Sequence, residues 1–453
     1  MIRKVRRMTV IGSKKIDLSH LWPPLWPFRL VFPLLAVCFV LSSPHAAGAV
    51  SEPVQLLAGS AIREITPSPG SPMSGYGDRG NRPSQGVHDR LYCRSLILEG
   101  TGLRIALVSA DMLAFTPDLR TAIVESIRDL NIDLLFLAAT HTHSGPGGYQ
   151  EGWAIGRFLM GTYSKDLFCF LAREITACVR DAQKGLVPAN VAYGQGSAPD
   201  LCRNRRHEGG LTDPQVGVLR VEGLDGKTLG IVVSFGAHPT VLSPRNLLYS
   251  GDYAGMTARS LEGSAGAPVL FFNGAIGDQK PHYPGTKEWE ASLTEQFEEA
   301  ERMAATLTNE VLRVAGEIKP EPLSILRANE RAVDLPRVKL RDRCFYYVFT
   351  PILRLVFNNI FHDQTLFQAV RINDLLLVGL PAEVSAELVM NIKRATPVRT
   401  AMVACQVNDT LGYVLSPADY ALGGYEACMS FYGKEFGTFF VDQALATAHA
   451  LTF

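Results

Sequence analysis

The sequence predicts an α/β domain built on a mixed sheet flanked by helices. Short apolar runs bounded by turn formers recur along the chain, with the length and boundaries of buried strands. Stretches with helix start and stop signals lie between several of them, and that alternation argues for strands covered by helices. Each run also ends in a residue able to bind metal or move a proton. In sheets of this class ligands gather beyond the carboxyl ends of the strands.

The elements follow in chain order. Arg3, Lys4, Arg6, Arg7, Lys14 and Lys15 make a basic start, residues 30–41 are apolar, and Ala47-Gly48-Ala49 supplies small residues at cleavage spacing. This pattern reads as a signal peptide over residues 1–49 ahead of a single domain over 50–453. The apolar run falls short of the about 20 residues of a membrane span, and an uncleaved anchor starting near Trp22 is the alternative. The expected destination is the periplasm or the exterior, or the membrane if the segment stays as an anchor. Residues 104–110 then form a strand ending at Asp111, and Thr116-Pro117 opens a helix to about Leu130. A second strand, 133–139, ends at Thr140-His141-Thr142-His143, and a helix over 164–184 stops at Gly185. Residues 229–237 lead to His238, and residues 269–272 lead to Gly277-Asp278. A helix rich in Glu and Ala occupies 287–315. Residues 372–380 and 401–407 complete the strands, reaching Glu383 and Asn408-Asp409.

Composition narrows the functions. The chain carries 44 basic and 44 acidic side chains, so it has no general field for nucleic acid, which is excluded as a partner. The eight cysteines show neither a zinc-knuckle spacing nor a dense disulfide framework. No disulfide is expected, and Cys169 and Cys178 read as core residues of one helix.

His141 and His143 are two apart after a strand, so persisting strand geometry would aim both at one face. Two surface histidines on a glycine-rich turn would read the same way. His238 and Glu383 at comparable strand ends turn the reading toward a metal, since His, His and carboxylate with an open position is a common catalytic zinc site. Such a site lowers the pKa of bound water to about 7.

The segment Thr140-His141-Thr142-His143-Ser144-Gly145-Pro146-Gly147-Gly148 resembles the signature of the neutral/alkaline, non-lysosomal ceramidases. The resemblance continues in order through residues 61–67, Gly75-Tyr76, Gly86-Val87-His88, Arg203-Asn204-Arg205 and Ala237-His238-Pro239. Pro381-Ala382-Glu383, Gly412-Tyr413-Val414 and Tyr425-Glu426 complete it, so it covers about Gly59 to the C-terminus. It implies one zinc per chain, ligated by His141, His238, Glu383 and Tyr413. It assigns His143 to proton transfer, and Arg205 and Tyr425 to hydrogen bonds with the substrate at the scissile amide. The implied activity is hydrolysis of the amide of an N-acyl lipid such as ceramide by zinc-activated water.

The sequence departs from this family at three places. Lys280 stands where the family places a serine, which excludes a seryl mechanism at that position. The chain stops at Phe453, where family members append a β-sandwich. Residues 344–361 read as a helix apolar nearly all round, either core or, over 345–361, a rim for peripheral membrane contact. The competing readings are a catalytically silent surface protein that binds a lipid or glycan, and a zinc hydrolase of another amide or ester. His88 and Asp111 are candidates to orient ligands, and Asp252 reads as a turn residue.

Overall fold

Twelve strands form one continuous sheet in this computed structural model, which describes residues 55–151, 159–283, 290–341, 344 and 362–452. The expected signal segment and the apolar stretch 345–361 lie outside the described residues. The strands are β1 Leu56–Glu64, β2 Tyr92–Gly100, β3 Leu103–Ala110, β4 Leu134–Ala139, β5 Val187–Ser197 and β6 Gln215–Gly223. They continue with β7 Thr228–Phe235, β8 Val269–Asn273, β9 Leu326–Asp334, β10 Gln364–Ile372, β11 Leu375–Leu380 and β12 Thr400–Cys405. Their order across the sheet is β9-β10-β11-β12-β8-β7-β6-β5-β1-β2-β3-β4. The pairs β3–β4, β7–β8 and β11–β12 are parallel and the others antiparallel, so the sheet is mixed, as expected.

The sheet folds back and packs on itself. Leu107 of β3 and Phe136 of β4 share one apolar core with Leu377 of β11 and Met402 of β12, from strands distant in the sheet order. A bridge between Ala138 and Val407 and the bond from Asn408 N to Leu137 O (2.8 Å) join the two parts. Alternation along each strand then assigns the second face to helices. In β8, Leu270 and Phe272 enter the inner core, while Val269 and Phe271 face a helical layer. In β11, Leu375 and Leu377 point inward, while Leu376, Val378 and Leu380 point outward. The result is helix, sheet, sheet, helix, a layering the sequence reading did not resolve.

Among the described residues, six longer helices cover the outer faces: α1 Pro117–Ser126, α2 Lys165–Lys184, α3 Asp252–Ala265, α4 Leu293–Glu317, α5 Ala386–Ala395 and α6 Phe436–His449. Local signals set their starts. The Thr116 hydroxyl accepts from Leu119 N ahead of Pro117, Ser164 accepts from Leu167 N, and Ser292 and Glu295 close a capping box. In α2, Leu167, Leu171, Ile175, Cys178, Val179 and Ala182 recur every three or four residues and bury one stripe. Cys178 is on that stripe, but Cys169 is off it and exposed, contrary to the expectation of two core cysteines.

Three other expectations need correction. The helix opened by Thr116 ends at Ser126, and Arg128–Leu130 is a separate short 3-10 turn. Residues 372–380 are not one strand. Asn373 adopts φ 50°, a conformation Asn tolerates in tight hairpins, and it turns β10 into β11. Finally, Cys344 and Cys428 form a disulfide across 84 residues of chain, with Cα atoms 5.3 Å apart. Spacing in sequence cannot reveal a pair that only the tertiary fold brings together. No helix among the described residues is long and apolar enough to cross a membrane.

Candidate metal centre

Strand β4 stops at Ala139, before the histidines, so strand alternation does not aim them. A turn does. His141 takes φ 60°, in the left-handed region, and its Nδ1 lies 2.7 Å from the Leu113 carbonyl. The Thr142 hydroxyl donates to Ser250 O (2.7 Å) and accepts from Ser144 N, pinning the turn between the two rings. His143 packs against Gly75 (φ 102°), where a Cβ would lie 2.6 Å from the imidazole Cγ. His238 lies just beyond the end of β7, and its Nδ1 lies 2.9 Å from the Ile276 carbonyl. Glu383 and Tyr413 are brought side by side by a two-residue parallel ladder, Glu383–Val384 with Tyr413–Val414. Gly277 closes over that ladder, where a Cβ would come within 2.8 Å of Glu383 O.

These elements put the ligating atoms of His141, His143 and His238 within 4.8 Å of one another. His238 Nε2 is 3.0 Å from His143 Nε2, which is 3.4 Å from His141 Nε2. Glu383 Oε2 stands 3.6 Å from His141 Nε2 and 3.7 Å from His238 Nδ1, buried and without a hydrogen bond. A carbonyl can only accept, so the Nδ1 atoms of His141 and His238 carry protons and their Nε2 atoms are left as acceptors. Two such nitrogens and an orphaned carboxylate oxygen converge in a buried place. That donor set fits a cation.

The electrostatics agree. Burial, then the charge of His141 and the nearby Arg79 and Arg205, pushes His143 well below the usual imidazole range. Burial, then Arg205, does the same to His238, so both rings are neutral and able to ligate. Burial pushes the Glu383 carboxyl up, but His141, Tyr413 and Arg205 outweigh it and hold the group below its usual value. Burial, with Glu383 beside it, raises the Tyr413 hydroxyl.

The structure brings the seven sequence-derived site residues to one place. Tyr413 is buried, its ring parallel to that of His238 with centroids 6.4 Å apart. The Arg205 guanidinium lies 5.3 Å over the Tyr413 ring, its Nη2 donating to Gly277 O at 2.9 Å. Tyr425 is 59% exposed at the rim, edge-on to Tyr413 at 5.7 Å. His143 Nε2 lies within 3.4 Å of the Nε2 atoms of both His141 and His238. Other candidates lie elsewhere. His88 pairs with Asp89 and stacks on Phe297, while Asp111 pairs with buried Arg94. Asp252 accepts from Leu242 N and Tyr253 N at the start of α3. Lys280 lies opposite Arg203 in a short ladder and lines neither cavity at the site.

Two cavities meet at His143, Tyr413 and Tyr425. One reaches His141 and Glu383 and is walled by Leu113, Ala114, Leu159, Met160, Met429 and Phe431. The other reaches His238 and is lined by Tyr76, Asp78, Arg205 and Thr240. Sequence reasoning missed the Tyr76 ring, 4.8 Å from that of His143, and Glu426, which pairs with Arg205 at 2.8 Å. Both stand within matched segments, Gly75-Tyr76 and Tyr425-Glu426, where neither was given a role.

Residues 56–270 match the family model described as neutral/alkaline non-lysosomal ceramidase, N-terminal. A neutral ceramidase of Pseudomonas aeruginosa is 24% identical over 292 residues, covering 59% of this chain and 43% of that protein. Neutral ceramidase A of Dictyostelium discoideum is 26% identical over 258 residues, covering 50% of this chain and 36% of that one. These matches span less than half the length of either relative. The crystal structure of the Pseudomonas aeruginosa neutral ceramidase superposes with a TM-score of 0.74 at 22% identity, covering 88% of this chain and 75% of that one. At that identity the likeness establishes the fold. Over residues 56–270 the chain is similar to the N-terminal region of the neutral/alkaline non-lysosomal ceramidases.

Proposed function

We propose that the chain is a zinc-dependent amidase acting on an N-acyl lipid, with ceramide as the leading substrate. The observation that carries this reading is the convergence of His141, His143, His238 and Glu383 beside an apolar cavity. His141, His238, Glu383 and Tyr413 would hold the ion, which supplies Lewis acidity to the scissile carbonyl and acidifies a water. The Leu113, Met160 and Phe431 walls of the first cavity suit an acyl chain, and Asp78, Arg205 and Thr240 of the second offer polar partners to a hydroxylated head group. Arg205, part-buried and charged, offers hydrogen-bond donors where negative charge develops on the carbonyl oxygen. Tyr425 donates from the rim. His143, kept neutral, is suited to take a proton and return it to the leaving amine.

Export fits the same account, because a disulfide such as Cys344–Cys428 persists in oxidising compartments. Lys280 removes the family serine but lines neither cavity, so the metal-side residues remain a complete set. The test is fatty-acid release from N-acyl lipids set beside acyl esters of matched chain length. Release from the amides alone supports the amidase, and release from esters alone moves the reaction class. Lipid binding without release from either supports the silent binding protein and rejects the amidase.

A further inference from the structure

The structure assigns Glu426 as a positioning residue that fixes Arg205 at the mouth of the site, an inference that rests on the amidase reading above. Glu426 is buried and stands between two arginines, Oε1 2.8 Å from Arg205 Nε and Oε2 2.6 Å from Arg206 Nη1. Arg206 is held in turn by the carbonyls of Asp419 and Gly423, each 2.8 Å from its Nη2. The backbone holds the other side of Arg205, whose N donates to Asp278 O at 2.8 Å. Its guanidinium therefore spans from the Gly277 carbonyl to the Glu426 carboxylate across the Tyr413 ring. Removing the carboxylate would leave two part-buried guanidinium groups side by side without their shared anion, and they would separate.

The element that carries Glu426 is anchored at chosen points. The short helix Tyr425–Cys428 follows Gly423 (φ 84°, ψ −150°) and Gly424 (φ 89°), backbone states that glycine adopts readily. Two glycines permit pivoting, so the preceding chain does not fix the helix by itself. Its last residue, Cys428, is tied to Cys344 by the disulfide. Glu426 and that disulfide thus clamp the helix that also presents Tyr425 to the site.

Kinetics and crystallography of Glu426→Gln, Glu426→Asp and Arg205→Met, with the Arg205→Met/Glu426→Gln double variant, test the assignment. The expected result for Glu426→Gln is a fall in kcat of tenfold or more, at unchanged metal content and little change in KM. Glu426→Asp should recover part of the loss, and the double variant should be no slower than Arg205→Met. In the Glu426→Gln crystal structure the guanidinium should leave the Gly277 carbonyl and the Tyr413 ring. Additive losses in the double variant, or Arg205 unmoved in the crystal, would overturn the assignment. If the wild-type chain releases no fatty acid, the amidase reading fails on its own, and the crystallographic position of Arg205 still decides the role of Glu426.

Discussion

His141 has a left-handed backbone, at a cost for a non-glycine residue on the order of 1 kcal/mol or more. The site tolerates that cost because the conformation turns the ring back toward His238 and Glu383 directly after a strand. The proposed function gives the two neighbouring histidines separate roles, and alanine variants test the separation. His141→Ala and His238→Ala should each lose the metal and the activity together, as measured by metal analysis of the purified proteins. His143→Ala should keep the metal and lose roughly 100-fold or more in kcat, the usual contribution of a positioned proton carrier. Metal lost equally in all three variants would make His143 a ligand. The histidines were legible in the sequence because only 10 occur in the chain and these follow buried strands. Tyr413 came only from family resemblance, because its pairing with Glu383 is a long-range ladder that local pattern does not encode. Glu426 stood in the matched segment Tyr425-Glu426, but nothing local in the sequence pointed to its pairing with Arg205.

At the scale of elements, Asp278 links β8 to α5. Its Oδ1 accepts from Ala386 N at the start of α5, and its Oδ2 accepts from Asn204. Burial raises its pKa to about 6 against these hydrogen bonds. The folded state therefore keeps a proton that the unfolded chain loses near pH 4. Raising the pH from about 4 to about 6 then favours unfolding, by up to about 3 kcal/mol, with no further change above that range. Denaturant unfolding of the wild type beside Asp278→Asn should show the wild-type advantage shrinking across this window. A difference that grows instead would contradict the assignment. The disulfide is the second element-scale feature. Replacing Cys344 and Cys428 with serine should lower stability by about 4–5 kcal/mol, from the freed loop entropy of the unfolded chain. Thermal unfolding with and without reductant checks this, and the serine variant should no longer respond to reductant. Strand positions were largely legible because apolar runs mark them. The β10–β11 hairpin was not, since apolar residues on both sides of Asn373 conceal a two-residue turn.

The described fold rests on one sheet folded into two packed layers, and that closure places the strand ends around the candidate metal centre. Phe272, fully buried in the inner core, faces Phe136 of the opposing layer at 5.4 Å between ring centroids. Phe272→Ala should cost about 3–5 kcal/mol of stability. The folded fraction should still bind metal, because the ring does not touch the site. The α/β class was legible from alternating runs and helix caps, whereas the fold-back was not, because buried strands read alike whichever layer covers them. The central claim is that His141, His238, Glu383 and Tyr413 hold a catalytic metal, with His143 carrying protons beside it. Its most direct test is metal analysis of the purified chain together with fatty-acid release from an N-acyl lipid, before and after chelation and after zinc is restored. The account predicts one zinc per chain, release that stops on chelation, and recovery with zinc. Release that persists in a metal-free protein would contradict it.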